Sequence, residues 1–134
     1  MKVLGIDHLG IAVPSLDAAV KAYEALGFPV ESTEEVASEA VKVAFLPVGE
    51  SRLELLEPTD ASSAIAKFLQ KRSGLHHVCV LVPDIDAALA ELRSRGIALI
   101  DEKPRPGAGG SRVAFLHPKA AGGVLLELKE KGQD

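Results

Sequence analysis

Residues 6–20 read IDHLGIAVPSLDAAV, and residues 75–89 read LHHVCVLVPDIDAAL. The two stretches share one plan: a histidine, an apolar run, a proline and the start of a helix. His8 and His77 hold the same place in it. Residues 9–13 form a continuous apolar run that is too short for a helix and suits a buried strand. After Pro14, Ser15 or Asp17 can cap a helix, in which Leu16, Ala19, Val20, Tyr23 and Leu26 recur at helical spacing before Gly27 ends it. The second copy repeats this with an apolar run at residues 78–82, a start at Pro83-Asp84, a stripe of Ile85, Ala88, Leu89 and Leu92, and a stop at Gly96.

The correspondence continues beyond the helices. Val43-Ala44-Phe45-Leu46 recurs as Val113-Ala114-Phe115-Leu116, and Leu53-Glu54-Leu55 recurs as Leu126-Glu127-Leu128. Both read as half-buried strands. The turns between them fall at residues 49–51 and 119–123. Each half is therefore expected to run strand, helix, three strands. The first module covers about residues 4–58 and the second about 75–130, with a connector at 59–74 in which Ile65, Ala66, Phe68 and Leu69 predict a short helix. The expected fold is α+β: one domain over residues 1–134, in which two tandem βαβββ modules form a curled, roughly eight-stranded open sheet around a metal site.

Composition narrows the classes of function. A hydrophobic share of 47% with 25% charged residues favours a packed core over disorder, and the scarcity of aromatics makes that core aliphatic. A formal net charge of −4 argues against a nucleic-acid partner, which would call for a basic face. Cys79 is the only cysteine, so no intramolecular disulfide forms; it reads as a small core residue and fits a reducing cytosol. The start MKVLGIDH has no apolar targeting segment, and no apolar run approaches the ~20 residues that span a bilayer. The expectation is a soluble cytoplasmic protein with no membrane partner.

Two His–Glu pairs carry the chemistry: His8 with Glu54, and His77 with Glu127. Each histidine opens the first strand of its half, and each glutamate lies in the last. Two imidazoles and two carboxylates suit a divalent ion with octahedral preference and leave two positions open, as metal catalysis requires. Taken singly, a histidine at a strand start is more often a structural hydrogen-bonding group, and a glutamate near a strand end a solvated charge. The shared Leu-Glu-Leu context shifts the balance, because a charge among leucines is costly unless paired or metal-bound. His76 must face away from its neighbour His77, and it aligns with Asp7. His117 suits a ligand contact or a structural role equally. The stretch KPRPGAGGSR at 103–112 is either a plain hairpin loop or, through Gly107, Gly109 and Gly110, an offer of backbone N–H groups to an anion. Arg105, Arg112 and Lys119 flank it and suit a phosphate or carboxylate.

With these residues in view, the chain resembles the vicinal oxygen chelate superfamily, and within it the methylmalonyl-CoA epimerases. The carrying segments are IDHLGIAVPSLDAAVKAYEALGF, VAFLPVGESRLELLEP, SAIAKFLQKRSGLHHVCVLVPDIDAAL and GSRVAFLHPKAAGGVLLEL, which cover nearly the whole chain. The last is the most specific; the opening segment alone is shared widely. The resemblance implies a divalent ion, Co²⁺ first and Mn²⁺, Ni²⁺, Mg²⁺ or Zn²⁺ otherwise, held by His8, His77 and Glu127. Its fourth ligand is Glu54, at a position where some members have glutamine. It implies an acyl-CoA substrate, methylmalonyl-CoA, whose two epimers interconvert by loss and return of the α-proton through a metal-stabilised enolate, with Glu127 and Glu54 as catalytic groups. Lys42 stands where some members carry a second catalytic glutamate. Lys42, Gly109, Gly110, His117 and Lys119 are the expected substrate contacts, with Lys71 and Arg72 as further contacts to the CoA, and a homodimer is the expected assembly. Rival readings are a glyoxalase I-type lyase, an extradiol dioxygenase with a two-His, one-carboxylate iron site, and a metal-free small-molecule-binding protein on the same fold.

Overall fold

A computed structural model describes residues 1–132. The chain forms two compact units, one made of His8–His76 and the other of Met1–Asp7 together with the chain from His77 onward. Each combines a sheet with a helix laid on one face, so the class is α+β. Among the described residues no helix is long and apolar enough to cross a membrane.

In the first unit the strands are β1 (Gly5–Ala12, which enters the unit at His8), β2 (Ser32–Val36), β3 (Val41–Val48) and β4 (Ser51–Pro58). β2 pairs antiparallel with β3, β3 antiparallel with β4, and β1 lies parallel to β4. A parallel neighbour requires a crossover, and helix α1 (Leu16–Ala25) provides it. The helical stripe predicts this packing except at Leu26, which caps the helix and is exposed. Leu16 is buried with Val13, Ala44, Leu46 and Leu55, and Ala19, Val20 and Tyr23 pack against them. Gly27 takes φ +101, a left-handed conformation that stops the helix without steric cost. The connector carries α2 (Ala64–Leu69), where the apolar spacing places it.

The second unit repeats the plan with β5 (Gly74–Val82, inside the unit from His77), α3 (Ile85–Ser94), β6 (Arg105–Pro106), β7 (Arg112–Phe115) and β8 (Leu126–Glu130). β5 is parallel to β8, which pairs antiparallel with β7, and β7 with β6. Val80, Val82, Ile85, Ala88, Leu89, Ala114, Leu116 and Leu128 form its core. Strands β6 and β7 are shorter than their counterparts β2 and β3, because the Gly-rich segment between them is a tight turn closed by Gly107 N–H to Ser111 O (3.0 Å). Gly107 is required there: a Cβ would stand 2.9 Å from Val113 Cγ1.

Helices α1 and α3 start on doubled caps. Ser15 Oγ accepts from Ala18 N–H and Asp84 Oδ1 from Ala87 N–H. In addition Glu57 Oε1 accepts from Leu16 N–H (2.9 Å), and Glu130 Oε2 from Ile85 N–H (3.1 Å). These glutamates each lie three residues after the Glu of a Leu-Glu-Leu motif, so the repeat also fixes each helix start to the last strand of its half. Their negative charge suits the helix N-terminus. Ser15→Ala and Asp84→Ala should each lower stability by about 1 kcal/mol, read as a shift of the urea midpoint at constant slope.

Candidate functional site

Strand alternation and register sort the side chains by face. In the first unit His8 stands opposite Arg52 and Gly10 opposite Glu54, while Phe45 stands opposite Glu54 on the other side. His8, Arg52, Glu54 and Phe45 therefore share the face turned away from α1. Gly10 offers no side chain opposite Glu54, and the carboxylate reaches His8, with Nδ1 of the imidazole 3.1 Å from Oε2. Both side chains are buried, at 5% and 3% exposure.

The second unit builds the same arrangement. Glu127 stands opposite Cys79 on β5 and opposite Phe115 on β7. Cys79 is two residues from His77, so His77, Glu127 and Phe115 share the face turned away from α3. His77 Nε2 lies 3.1 Å from Glu127 Oε1, and both side chains are buried at 7% exposure. The imidazole also meets the Phe115 ring edge-on, with centroids 5.6 Å apart. Cys79 is fully buried, as expected, but on this face rather than in the core against α3. Its small side chain takes the place that Gly10 has in the first unit.

His77 and Glu127 belong to a group of side chains that could hold a metal ion, whereas Glu54 belongs to no such group among the described residues. Two ligand atoms about 2.1 Å from one ion and at right angles to each other stand about 3.0 Å apart, close to the 3.1 Å found in both pairs. The donor set of nitrogen and carboxylate oxygen matches divalent transition metals.

The pairs differ in their surroundings. Arg52 Nε and Nη2 each lie 2.9 Å from Glu54 Oε2, the oxygen that also faces His8. Its guanidinium sits over the Phe45 ring, 5.6 Å from the centroid. In the second unit the arginine over the matching Phe115 ring is Arg105, at 5.2 Å, and it pairs with Asp101. Asp101 in turn accepts from Phe115 N–H at 2.8 Å. Leu125 occupies the place that matches Arg52. The motif reading missed Arg52. Its signal was available, since residues two apart on a strand share a face, but the site was sought among histidines and acids alone. The Arg–Phe contacts gave no such signal, because the two arginines stand at unrelated offsets in the repeat.

The other expected contacts are scattered. Lys42 is exposed and stands opposite Glu57, an odd number of residues from Phe45, so it faces away from the side that carries His8 and Glu54. His117 Nδ1 accepts from Lys119 N–H (3.1 Å) and caps a 3-10 turn at Pro118–Ala121, which gives the ring a structural job and leaves Nε2 to meet a ligand. Lys119 is exposed beside it. Gly109 and Gly110 both have left-handed φ within the β6–β7 turn, where Ser111 N–H and Oγ bond to Ala108 O, so part of the turn's donor capacity is spent internally. Arg112 is committed to Asp86 (2.9 Å) and Glu130 (3.3 Å), which push its pKa up. His76 packs edge-on against Phe68, which also carries Arg72, so both stand with α2. Asp7 is buried and paired with Lys129 at 3.3 Å.

Comparison with known proteins adds to this geometry. The model of the Glyoxalase/Bleomycin resistance protein/Dioxygenase superfamily matches residues 7–115. The human mitochondrial methylmalonyl-CoA epimerase is 41% identical over 128 residues, covering 93% of this chain and 73% of the human protein. The ethylmalonyl-CoA/methylmalonyl-CoA epimerase of Cereibacter sphaeroides is 39% identical, covering 93% of this chain and 96% of its own. A solved methylmalonyl-CoA epimerase in complex with methylmalonyl-CoA and NH₄⁺ is 42% identical, with a TM-score of 0.92 over 98% of this chain and 96% of that one.

Proposed function

Because the chain belongs to the Glyoxalase/Bleomycin resistance protein/Dioxygenase superfamily, we propose that it is a metal-dependent epimerase that interconverts the two epimers of methylmalonyl-CoA. The observation that carries this reading is the buried imidazole–carboxylate pair in each repeat, with the same 3.1 Å separation, in a chain about 40% identical over most of its length to proteins of that activity. His8, Glu54, His77 and Glu127 are assigned together as the ligands of one divalent ion, with Co²⁺ the first candidate. These side chains would hold the ion, with the substrate's oxygens as its further ligands. When bound, the ion supplies Lewis acidity at the thioester and carboxylate oxygens of the substrate.

The α-carbon of methylmalonyl-CoA lies between those two carbonyl groups, so loss of its proton gives an enolate. Glu127 is assigned as the group that takes this proton, from a distance of about 3 Å in the working complex. Inversion needs the proton returned on the opposite face. Glu54 is assigned to that side, acting directly or through one water. The outward direction of Lys42 makes it the weaker choice. His117 through Nε2, Lys119, and the Gly109–Gly110 turn are assigned to the anionic groups of the acyl-CoA.

Incubation of the metal-loaded protein with one epimer in D₂O should place deuterium at the α-position and yield the other epimer. With metal shown to be bound, absence of both exchange and epimerisation would sink the reading. Turnover of methylglyoxal with glutathione instead would reassign the chain to a glyoxalase-type lyase.

A further inference from the structure

We infer that the end of α2 is a phosphate-binding patch, built from Lys67, Lys71 and Arg72 around the Phe68 ring, that holds the phosphorylated nucleotide end of the acyl-CoA; this rests on the acyl-CoA reading above. The chain as a whole is acidic, with a formal net charge of −4, yet residues 61–83 contain no aspartate or glutamate while carrying Lys67, Lys71 and Arg72. The fold gathers these cations at the C-terminal end of α2. Phe68 O accepts from both Lys71 N–H (3.0 Å) and Arg72 N–H (3.1 Å), which winds the following turn onto the helix end. The Arg72 guanidinium lies over the Phe68 ring, 5.0 Å from its centroid, and the His76 ring meets the same phenyl group edge-on at 5.0 Å.

All three cations are exposed, and none is ion-paired with a carboxylate among the described residues. Arg72 is the exception among the arginines in this respect: Arg52, Arg93, Arg95, Arg105 and Arg112 each pair with an acid. Lys67 and Lys71 stand four residues apart, a spacing at which like charges on a helix repel. An anion bound between them relieves that repulsion. Stacking on Phe68 fixes the plane of the Arg72 guanidinium, so its N–H edge can meet a phosphate bidentately while the lysines add point charges. The 3′-phosphate and pyrophosphate of CoA are the matching anions, at the end of the molecule remote from the thioester. The patch therefore contributes binding and no chemistry.

Epimerase kinetics with two thioesters test this: methylmalonyl-CoA, and methylmalonyl-pantetheine, which lacks the nucleotide. The Lys67→Glu/Lys71→Glu pair and Arg72→Glu should each raise KM for the CoA thioester by about tenfold and leave kcat within about twofold, the pattern of lost uniform binding. Neither should change KM for the pantetheine thioester. Lys21→Glu, the same charge change on exposed α1, should leave both KM values as they are. Raising the salt concentration should weaken the wild-type preference for the CoA thioester, because exposed charges are screened. An equal rise of KM for both thioesters, or for neither, overturns the patch and leaves the epimerase reading intact. Turnover of neither thioester by the metal-loaded wild type overturns the epimerase reading. Calorimetric titration with adenosine 3′,5′-bisphosphate then decides on the patch without any activity: the wild type should bind it, and both variants should bind it about tenfold more weakly or worse. Equal binding by wild type and variants, or none by the wild type, overturns the patch. The Lys67→Glu/Lys71→Glu pair keeps the Arg72–Phe68 contact, and thermal unfolding of every variant separates these outcomes from loss of the fold.

Discussion

His77→Ala is expected to abolish metal uptake and epimerase activity together while the protein stays folded. His77 contributes an imidazole 3.1 Å from the buried Glu127 carboxylate, and no neighbouring side chain on its strand replaces it: His76 faces the other way, against Phe68. Loss of groups that merely orient a metal ligand already costs 10–100-fold in affinity. Loss of a ligand itself should raise the metal dissociation constant by more than about 100-fold, and activity should fall in proportion. The structural cost is smaller. The edge-on contact with Phe115 is worth about 1 kcal/mol, and Glu127 loses the nearby imidazole. The melting temperature of the metal-free protein should drop by no more than about 10 °C. The measurement is metal content after dialysis, alongside turnover and far-UV circular dichroism. Retained metal and full activity would remove His77 from the site. Collapse of the fold would show its role to be structural instead.

The second large effect concerns stability. Leu128→Ala should destabilise the protein by 2–5 kcal/mol, the range for truncating a buried leucine in a packed interior. Leu128 is fully buried among Val80, Val82, Ala114 and Leu116 beneath α3. Leu55, its counterpart in the first repeat, is equally buried against α1, so Leu55→Ala should cost a similar amount. Marginal stabilities of 5–15 kcal/mol make either loss large. Leu26→Ala, at a leucine that is 73% exposed, serves as the control and should change stability by less than about 0.5 kcal/mol. Equilibrium urea unfolding decides; a core variant that unfolds at the wild-type midpoint would contradict the packing described. Because Leu128 and Leu55 adjoin Glu127 and Glu54 on the opposite sheet face, both variants should also weaken metal binding, though less than His77→Ala does.

Much of this protein was legible in its sequence. Helix periodicity, Gly27 and Gly96 as stops, and the alternating Leu-Glu-Leu strands placed α1, α3, β4 and β8, because each depends on local chemistry and on a period that a one-residue slip would ruin. The repeat also singled out His8, Glu54, His77 and Glu127 by their matching places and their Leu-Glu-Leu context, and all four side chains are buried. The register between strands lay outside the sequence. It puts Gly10 and Cys79 opposite the two glutamates and turns Lys42 away from Glu54. It also brings Arg52 onto the oxygen that faces His8, and Glu57 and Glu130 onto the first N–H groups of the two helices. Local sequence dictates which residues form a strand and which face they share. Which side chain meets which across neighbouring strands depends on pairing between distant segments, and only the tertiary structure decides that.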